Sequence, residues 1–186
     1  MLNTKLQWLV GMFICILVTA YFHSGKKIDG VIWSDQEGYY IYLPSLFITG
    51  FDKAGCTSGC NLVDTPNGQM VFTKYTYGVS LMQSPFFLVA HQLAPLLGFE
   101  NNGRSLPYIW GNMLAAIFYM LAGLAFIGRL LRELKFEPKV IWAVGLPLLA
   151  GSNLLYYTFR EAGMAHVFSV FLLAVLTYGS HKMTKN

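Results

Sequence analysis

The chain is poor in charged residues. Only 12% of its 186 residues are Asp, Glu, Lys or Arg, while 55% are hydrophobic; an ordinary soluble domain has about 25% charged residues. This shortage argues against a soluble domain and indicates lipid as the solvent. The net charge is +4 and the basic residues are scattered, so the clustered basic face of a nucleic-acid-binding protein is lacking and we expect no nucleic-acid partner.

Motifs for nucleotide-driven and covalent catalysis are also missing. The sequence has no Gly-rich phosphate loop and no nucleophile elbow with Ser, Asp and His in order. Its four His and nine acidic residues show no metal-ligand spacing, so we predict neither a metal site nor a cofactor. Cys15 lies in an apolar run and is interpreted as a packing residue. Cys56 and Cys60 suit a local disulfide in an extracytoplasmic loop, because their spacing lacks the second ligand pair of a zinc site.

The sequence contains long apolar runs without charged residues. A bilayer core about 30 Å thick needs about 20 apolar residues per helix. Three uncharged stretches meet this length, namely Leu106 to Gly128, Val140 to Phe159 and Ala162 to Ser180. A shorter run, Leu6 to Phe22, follows Lys5. It resembles a signal peptide but has no small-residue cleavage site, so we interpret it as an uncleaved signal anchor.

The stretch from Gly78 to Phe99 decides the predicted topology. If it crossed the membrane, the basic connector GRLLRELKFEPK (128–139) would lie outside, against the positive-inside rule. We therefore predict that it lies along the outer surface or dips in and returns. The predicted fold class is an all-α polytopic membrane protein with both termini inside and juxtamembrane helices in a long outer loop, 24–105. Its four transmembrane helices are predicted at about 6–23, 106–129, 139–159 and 162–181.

The segment WSDQEGYYIYLPSLF, Trp33 to Phe47, has two interpretations. Ser34 and Glu37 match a capping box, which would start a helix. Aromatic and apolar residues then recur at helical spacing, which predicts an amphipathic helix in the headgroup layer; they are Tyr39, Tyr42, Leu43, Leu46 and Phe47. Asp35 has no role in such a cap, and a carboxylate at a water–lipid boundary can act as a general base. A plain helix cap and a catalytic Asp35 both remain open from the residues alone.

Other polar residues of the predicted outer side also have two interpretations. Lys74 is either a lysine that snorkels to the headgroups or a cation for a lipid-linked phosphate. Arg160, Glu161 and His166 are either a surface pair and a helix histidine or members of a pocket shared with Asp35. Arg104 precedes a predicted span from the outside, against the usual charge bias, which indicates a partner for it.

The order of these pieces resembles a known family. The segments SDQEGYYIYLPSLF, KYTYGVSLMQSPFFLVAH, GRLLRELKF and LLYYTFREAGMAHVFSVFLLAVLTY together look like the N-terminal part of bacterial GT-C glycosyltransferases. The nearest types are integral-membrane mannosyl-, aminoarabinosyl- and galacturonosyl-transferases. The resemblance covers nearly the whole chain, which would then be a single module over residues 1–186.

The resemblance implies an activity and a location. We expect inverting sugar transfer from a polyprenyl-phosphate donor to a glycan or lipid acceptor, with no metal or only weak dependence on a divalent cation. The enzyme would lie among the lipids of the cytoplasmic membrane with its active face outward. Family members usually carry more spans, so we expect a fragment or split frame whose missing helices a second chain supplies. The alternative is a non-catalytic membrane subunit or lipid-binding scaffold.

The resemblance also implies roles for individual residues. Asp35 would be the catalytic base, with Glu37 as a weaker candidate, and Lys74 would bind the lipid phosphate. Further substrate-binding residues would come from the aromatic motif after the acidic pair and from the turn between the third and fourth spans; they are Tyr39, Tyr40, Arg160, Glu161 and His166.

Overall fold

The computed structural model describes residues 4–24, 32–51, 61–66 and 68–185. Regular structure in these residues is helical apart from one two-stranded hairpin, so the prediction of a helical protein is confirmed at that level. The helices are α1 (Thr4–His23), α2 (Asp35–Tyr40), α3 (Tyr42–Pro44), α4 (Gly78–Leu96), α5 (Leu106–Glu133), α6 (Pro138–Ala150), α7 (Leu154–Phe159) and α8 (Ala165–Met183). A π-helical turn (Ser45–Thr49) follows α3, and β1 (Asn61–Thr65) pairs with β2 (Gly68–Phe72).

Helix α5 is the long apolar element of the fold. Among the described residues it is the one helix long and apolar enough to cross a membrane, by length and composition alone; shorter apolar helices are Leu9–His23 and Pro138–Ala150. The predicted span 139–159 is not one helix, because a bend at 151–153 separates α6 from α7. Gly151 contributes to the break, since glycine disfavours a helix interior; Pro147 lies within α6, which continues past it to Ala150.

The helices beside α5 run in opposite senses. Helix α8 is parallel to it: Phe168 lies against Tyr119 with ring centroids 5.4 Å apart, and further along Lys182 lies 2.7 Å from Glu133. Helix α4 is antiparallel, because its Phe87 packs 5.1 Å from Tyr108 whereas the earlier Met82 carbonyl accepts a hydrogen bond from the Tyr119 hydroxyl. Helix α4 is thus packed along the first half of α5.

Small residues permit these close approaches. A Cβ added at Gly111 would lie 3.0 Å from the Phe86 carbonyl oxygen, and one at Gly123 would lie 3.2 Å from the Phe171 Cα. Helices that pack within lipid rely on such small residues, because burial of apolar surface there gains little.

The bundle has two chemically different ends. The "polar end" contains the start of α8, the last residues of α1 and α7, and α2; there His23 Nε2 lies 2.9 Å from the Phe159 carbonyl oxygen. The "basic end" contains the last turns of α5 and α8 and the connector 134–137. Because α1 ends and α8 begins at the polar end, the N-terminus of α1 and the C-terminus of α8 both point toward the basic end.

The segment from Asp35 to Thr49 is helical, as predicted, but two details differ. Ser34 has φ +53° and its side chain makes no hydrogen bond to the helix start, so the capping-box interpretation of Ser34 is wrong. Leu43 is buried in the protein core, whereas Leu46 and Phe47 are exposed. Only part of the predicted headgroup face is therefore available to lipid, because the other part packs against α4 and α5.

The β-hairpin was not predicted. It pairs Thr65 with Gly68, and Gly68 has φ +122°, a backbone conformation that glycine adopts readily. The cysteines Cys56 and Cys60 lie outside the described residues, so the disulfide stays a prediction.

Candidate functional site

Asp35 and Lys74, which are 39 positions apart in sequence, meet around the ring of Tyr75. The Asp35 carboxylate lies beside the Tyr75 hydroxyl, and its action as a hydrogen-bond acceptor is the first cause of a Tyr75 pKa above the ordinary value. Lys74 Nζ lies 5.1 Å from the centroid of the same ring. Tyr39 packs against Tyr75 at 4.5 Å. Asp35 and Lys74 are both exposed, so a carboxylate and an ammonium border one tyrosine ring at the solvent-exposed surface.

This arrangement depends on the contact between α2 and residues 73–75. The Thr73 hydroxyl donates to the Gly38 carbonyl at 2.9 Å, and the Tyr42 hydroxyl donates to the Tyr75 carbonyl at 2.6 Å. A Cβ at Gly38 would lie 2.2 Å from Tyr75 Cδ2. Glycine at position 38 therefore creates the space in which the Tyr75 ring lies beside Asp35.

Glu37, the weaker candidate base, is buried and paired. Its side chain has no exposed surface, and its Oε1 lies 2.5 Å from Arg104 Nη2. A carboxylate without exposed surface cannot reach an acceptor hydroxyl, so this geometry favours a structural role over catalysis. The charge bias predicted a partner for Arg104, and that partner is Glu37.

Tyr40 is likewise a core residue. It is 1% exposed, and its hydroxyl donates to the Gly103 carbonyl at 2.7 Å. Burial raises the pKa of Tyr40 well above its ordinary value. The prediction that Tyr40 binds substrate conflicts with this burial, whereas Tyr39 is partly exposed beside Asp35.

The turn after α7 has its own polar cluster. Glu161 accepts a hydrogen bond from the Tyr156 hydroxyl at 2.8 Å. The ring of His166 stacks on Tyr157, with centroids 3.8 Å apart and planes 5° from parallel. Arg160 is partly exposed and lines an apolar cleft.

That cleft lies between α1, α5, α6 and α7. It has a volume of about 570 Å³. Its walls are apolar side chains such as Ile14, Val18, Leu121 and Leu149, and the end nearest the polar end of the bundle carries Arg160. An apolar cleft of this size can hold a hydrocarbon chain, and Arg160 is among the residues at its border.

Gln36 connects the two groups of candidate residues. It follows Asp35 in α2, and its Oε1 accepts a hydrogen bond from the Gly163 N–H at 3.3 Å. Asn112 Nδ2 borders the same glycine, and Asn112 Oδ1 accepts from Gln83 Nε2 at 2.6 Å. Asp35, Lys74 and Tyr39 therefore form one group, and Arg160, Glu161 and His166 form another, with buried amides between them.

No cluster of three or more His, Cys, Asp or Glu side chains suited to a metal ion occurs in the part of the chain that the structure describes. No protein-family model, no curated protein and no solved structure matches the chain.

Several residues of this site were not singled out from the sequence. Tyr75 was part of the quoted segment KYTYG, but nothing in its spacing indicates that it contacts Asp35. Asn112 could have been noticed, because an amide within the apolar run of α5 is costly in lipid and faces a polar partner. Gln36 carries no comparable signal, since its role depends on Gly163, which is distant in sequence.

Proposed function

We propose that the protein transfers a sugar from a polyprenyl phosphate to a glycan or lipid acceptor at a membrane surface. The observation that carries this proposal is the exposed pair of Asp35 and Lys74 around Tyr75. A base and a cation are the two groups that such a transfer needs. The apolar cleft that ends at Arg160 supports a lipid-linked donor, and the resemblance to GT-C glycosyltransferases adds to the case.

The proposed chemistry assigns one role to each group. Asp35 accepts the proton of the acceptor hydroxyl while the oxygen attacks the anomeric carbon. The bond between that carbon and the phosphate oxygen breaks, and the polyprenyl phosphate leaves with the electron pair. Lys74 or Arg160 stabilises the negative charge that develops on the leaving phosphate. Inversion follows from attack opposite the leaving group.

The four-span arrangement belongs to the same proposal. Helix α1 is antiparallel to α8, α8 is parallel to α5, and α6 with α7 returns the chain between them. This order suits a chain that crosses a bilayer four times with the polar end outward. The basic residues Arg129, Arg132 and Lys182 then lie at the cytoplasmic side, as the positive-inside rule expects.

The experiment uses the full chain, reconstituted into lipid vesicles with radiolabelled polyprenyl-phosphate sugars. Mannose, aminoarabinose and galacturonic acid donors are tested with extracted envelope glycans and lipids as acceptors. We expect label transfer by the wild type and a loss of about 10²- to 10⁴-fold in Asp35→Asn, the range for removal of a general base. Glu137→Gln, a change at an exposed carboxylate near the basic end, should leave transfer unchanged. Transfer retained by Asp35→Asn would remove Asp35 from the base role.

The second candidate function is a non-catalytic subunit or lipid-binding scaffold. The observation in its favour is that most of the acidic segment is structural, since Gln36, Glu37 and Tyr40 are buried. In the same vesicles a scaffold would bind sugar-free polyprenyl phosphate without turnover of any donor. Loss of that binding in Arg160→Gln, with no transfer by the wild type, would favour this function. If a second chain completes the enzyme, its addition should restore transfer.

A further inference from the structure

A layer of buried amide side chains lies directly behind Asp35. Gln36 and Gln83 are 2% and 1% exposed, and Asn112 is 4% exposed. They come from α2, α4 and α5, three elements that are far apart in sequence. The layer therefore exists only in the folded chain, and it lies where the two groups of candidate residues approach each other.

Gly163 is the point at which this layer meets the turn that carries Arg160. A Cβ at position 163 would lie 3.0 Å from Gln36 Cβ, 3.2 Å from Gln36 Oε1 and 3.3 Å from Asn112 Nδ2. The backbone of the turn thus approaches both amides more closely than any side chain would allow. Gln36 Oε1 is in addition the acceptor for the Gly163 N–H.

Two polar atoms of this layer have no hydrogen-bond partner among the described residues, namely Gln36 Nε2 and Gln83 Oε1. Each buried group of this kind costs roughly 1–3 kcal/mol. Apolar side chains of similar shape would avoid that cost, so stability alone does not account for the amides. The hydrogen bonds that the layer does make, from the Gly163 N–H to Gln36 Oε1 and from Gln83 Nε2 to Asn112 Oδ1, are directional and hold α2, α4, α5 and the turn in one arrangement.

We propose that Gln36 is a positioning residue, which holds the helix that starts at Asp35 against the turn that carries Arg160. The inference rests on the sugar transfer proposed above. Where Arg160 is the cation that stabilises the leaving phosphate, the acceptor hydroxyl at Asp35 and that phosphate must be aligned for attack. A misplacement of about 1 Å can cost roughly 10²-fold in rate. Through its hydrogen bond to Gly163, Gln36 sets the distance between the helix that starts at Asp35 and the turn that carries Arg160.

The test compares Gln36→Met and Gly163→Ala with the control Gly179→Ala. The methionine keeps the volume of Gln36 but removes the acceptor. The alanine at 163 keeps every polar group but separates them, whereas a Cβ at Gly179 meets nothing within 4 Å. Gln36→Met does not depend on whether Gly163→Ala folds, and thermal unfolding in detergent checks all three variants.

Two readouts are made on the full chain in lipid. Amide hydrogen exchange at Gly163, measured by NMR or on peptides that contain 160–164, should quicken at least about 10-fold in Gln36→Met and stay unchanged in Gly179→Ala. In the transfer assay, kcat should fall about 10- to 100-fold in both site variants with little change in the donor KM. Unchanged exchange at Gly163 or an unchanged kcat would overturn the positioning role. An absence of transfer by the wild type would instead overturn the proposed function. The hydrogen-exchange result does not depend on transfer, so the two failures can be told apart.

Discussion

The two ends of the α5–α8 pair handle polar groups in opposite ways. At the basic end, Lys182 lies 2.7 Å from Glu133, and the two side chains are 51% and 25% exposed. At the polar end, Glu37 has no exposed surface and faces Arg104, which is 25% exposed. Exposed ion pairs contribute little to stability because water competes for both charges, whereas a buried charge needs its partner. The polar end therefore bears the cost of buried polar groups, as a site with fixed geometry would.

The largest effect is expected from removal of one partner of the buried ion pair. Arg104→Met leaves Glu37 charged and without water, so we expect it to destabilise the protein by about 3 kcal/mol. Glu37→Gln should cost less, about 1 kcal/mol, because Arg104 still reaches solvent and can bond the new amide. Thermal unfolding in detergent measures both variants.

The control for this pair lies at the other end of the bundle. Lys182→Met removes one partner of an exposed ion pair, and we expect no resolvable change in the unfolding temperature. Equal destabilisation by Lys182→Met and Arg104→Met would show that the contrast between the two ends does not hold.

A smaller effect is expected where α2 meets Tyr75. In Gly38→Ala the new methyl group would displace the Tyr75 ring, which is partly exposed and can swing outward. We expect stability to change by about 1 kcal/mol or less, because the alanine also favours the helix, while sugar transfer falls as Tyr75 leaves Asp35. Gly78→Ala is the matched control, since a Cβ there meets nothing within 4 Å. Equal transfer rates in the two variants would contradict a role for the Tyr75 contact.

The smallest effect is a shift in the titration of one tyrosine. The pKa of Tyr75 is raised mainly by its hydrogen bond to the Asp35 carboxylate, so Asp35→Asn should lower it. Because the folded-state pKa is the higher one, this hydrogen bond stabilises the protein below the ordinary tyrosine pKa and is lost as pH rises through the raised value. NMR titration of labelled tyrosine rings measures the shift, and Tyr75→Phe identifies the signal. An unchanged Tyr75 pKa in Asp35→Asn would contradict an interaction between the Asp35 carboxylate and the Tyr75 hydroxyl.

The sequence allowed only part of the site to be predicted. A pocket shared by Asp35 with Glu161 and His166 was one interpretation, but buried amides lie between Asp35 and that turn, and Tyr75, which borders both Asp35 and Lys74, was not singled out. Glu37 illustrates the opposite case. Its spacing from Ser34 suggested a helix cap, yet its carboxylate pairs with Arg104, which is 67 positions away. A local pattern cannot indicate a partner that only the fold brings near, and here it also predicted a cap that Ser34 does not make.

The sequence by itself determined the helical class, the positions of α1, α5 and α8, and the polarity of the two ends. These features follow from hydrophobic runs and charge placement, which act over a few turns of chain. Tertiary structure decided which carboxylate is exposed and which is buried, and which amides surround Gly163. Those choices depend on contacts between distant segments, where close packing leaves room for one arrangement and burial makes each unpaired polar atom costly.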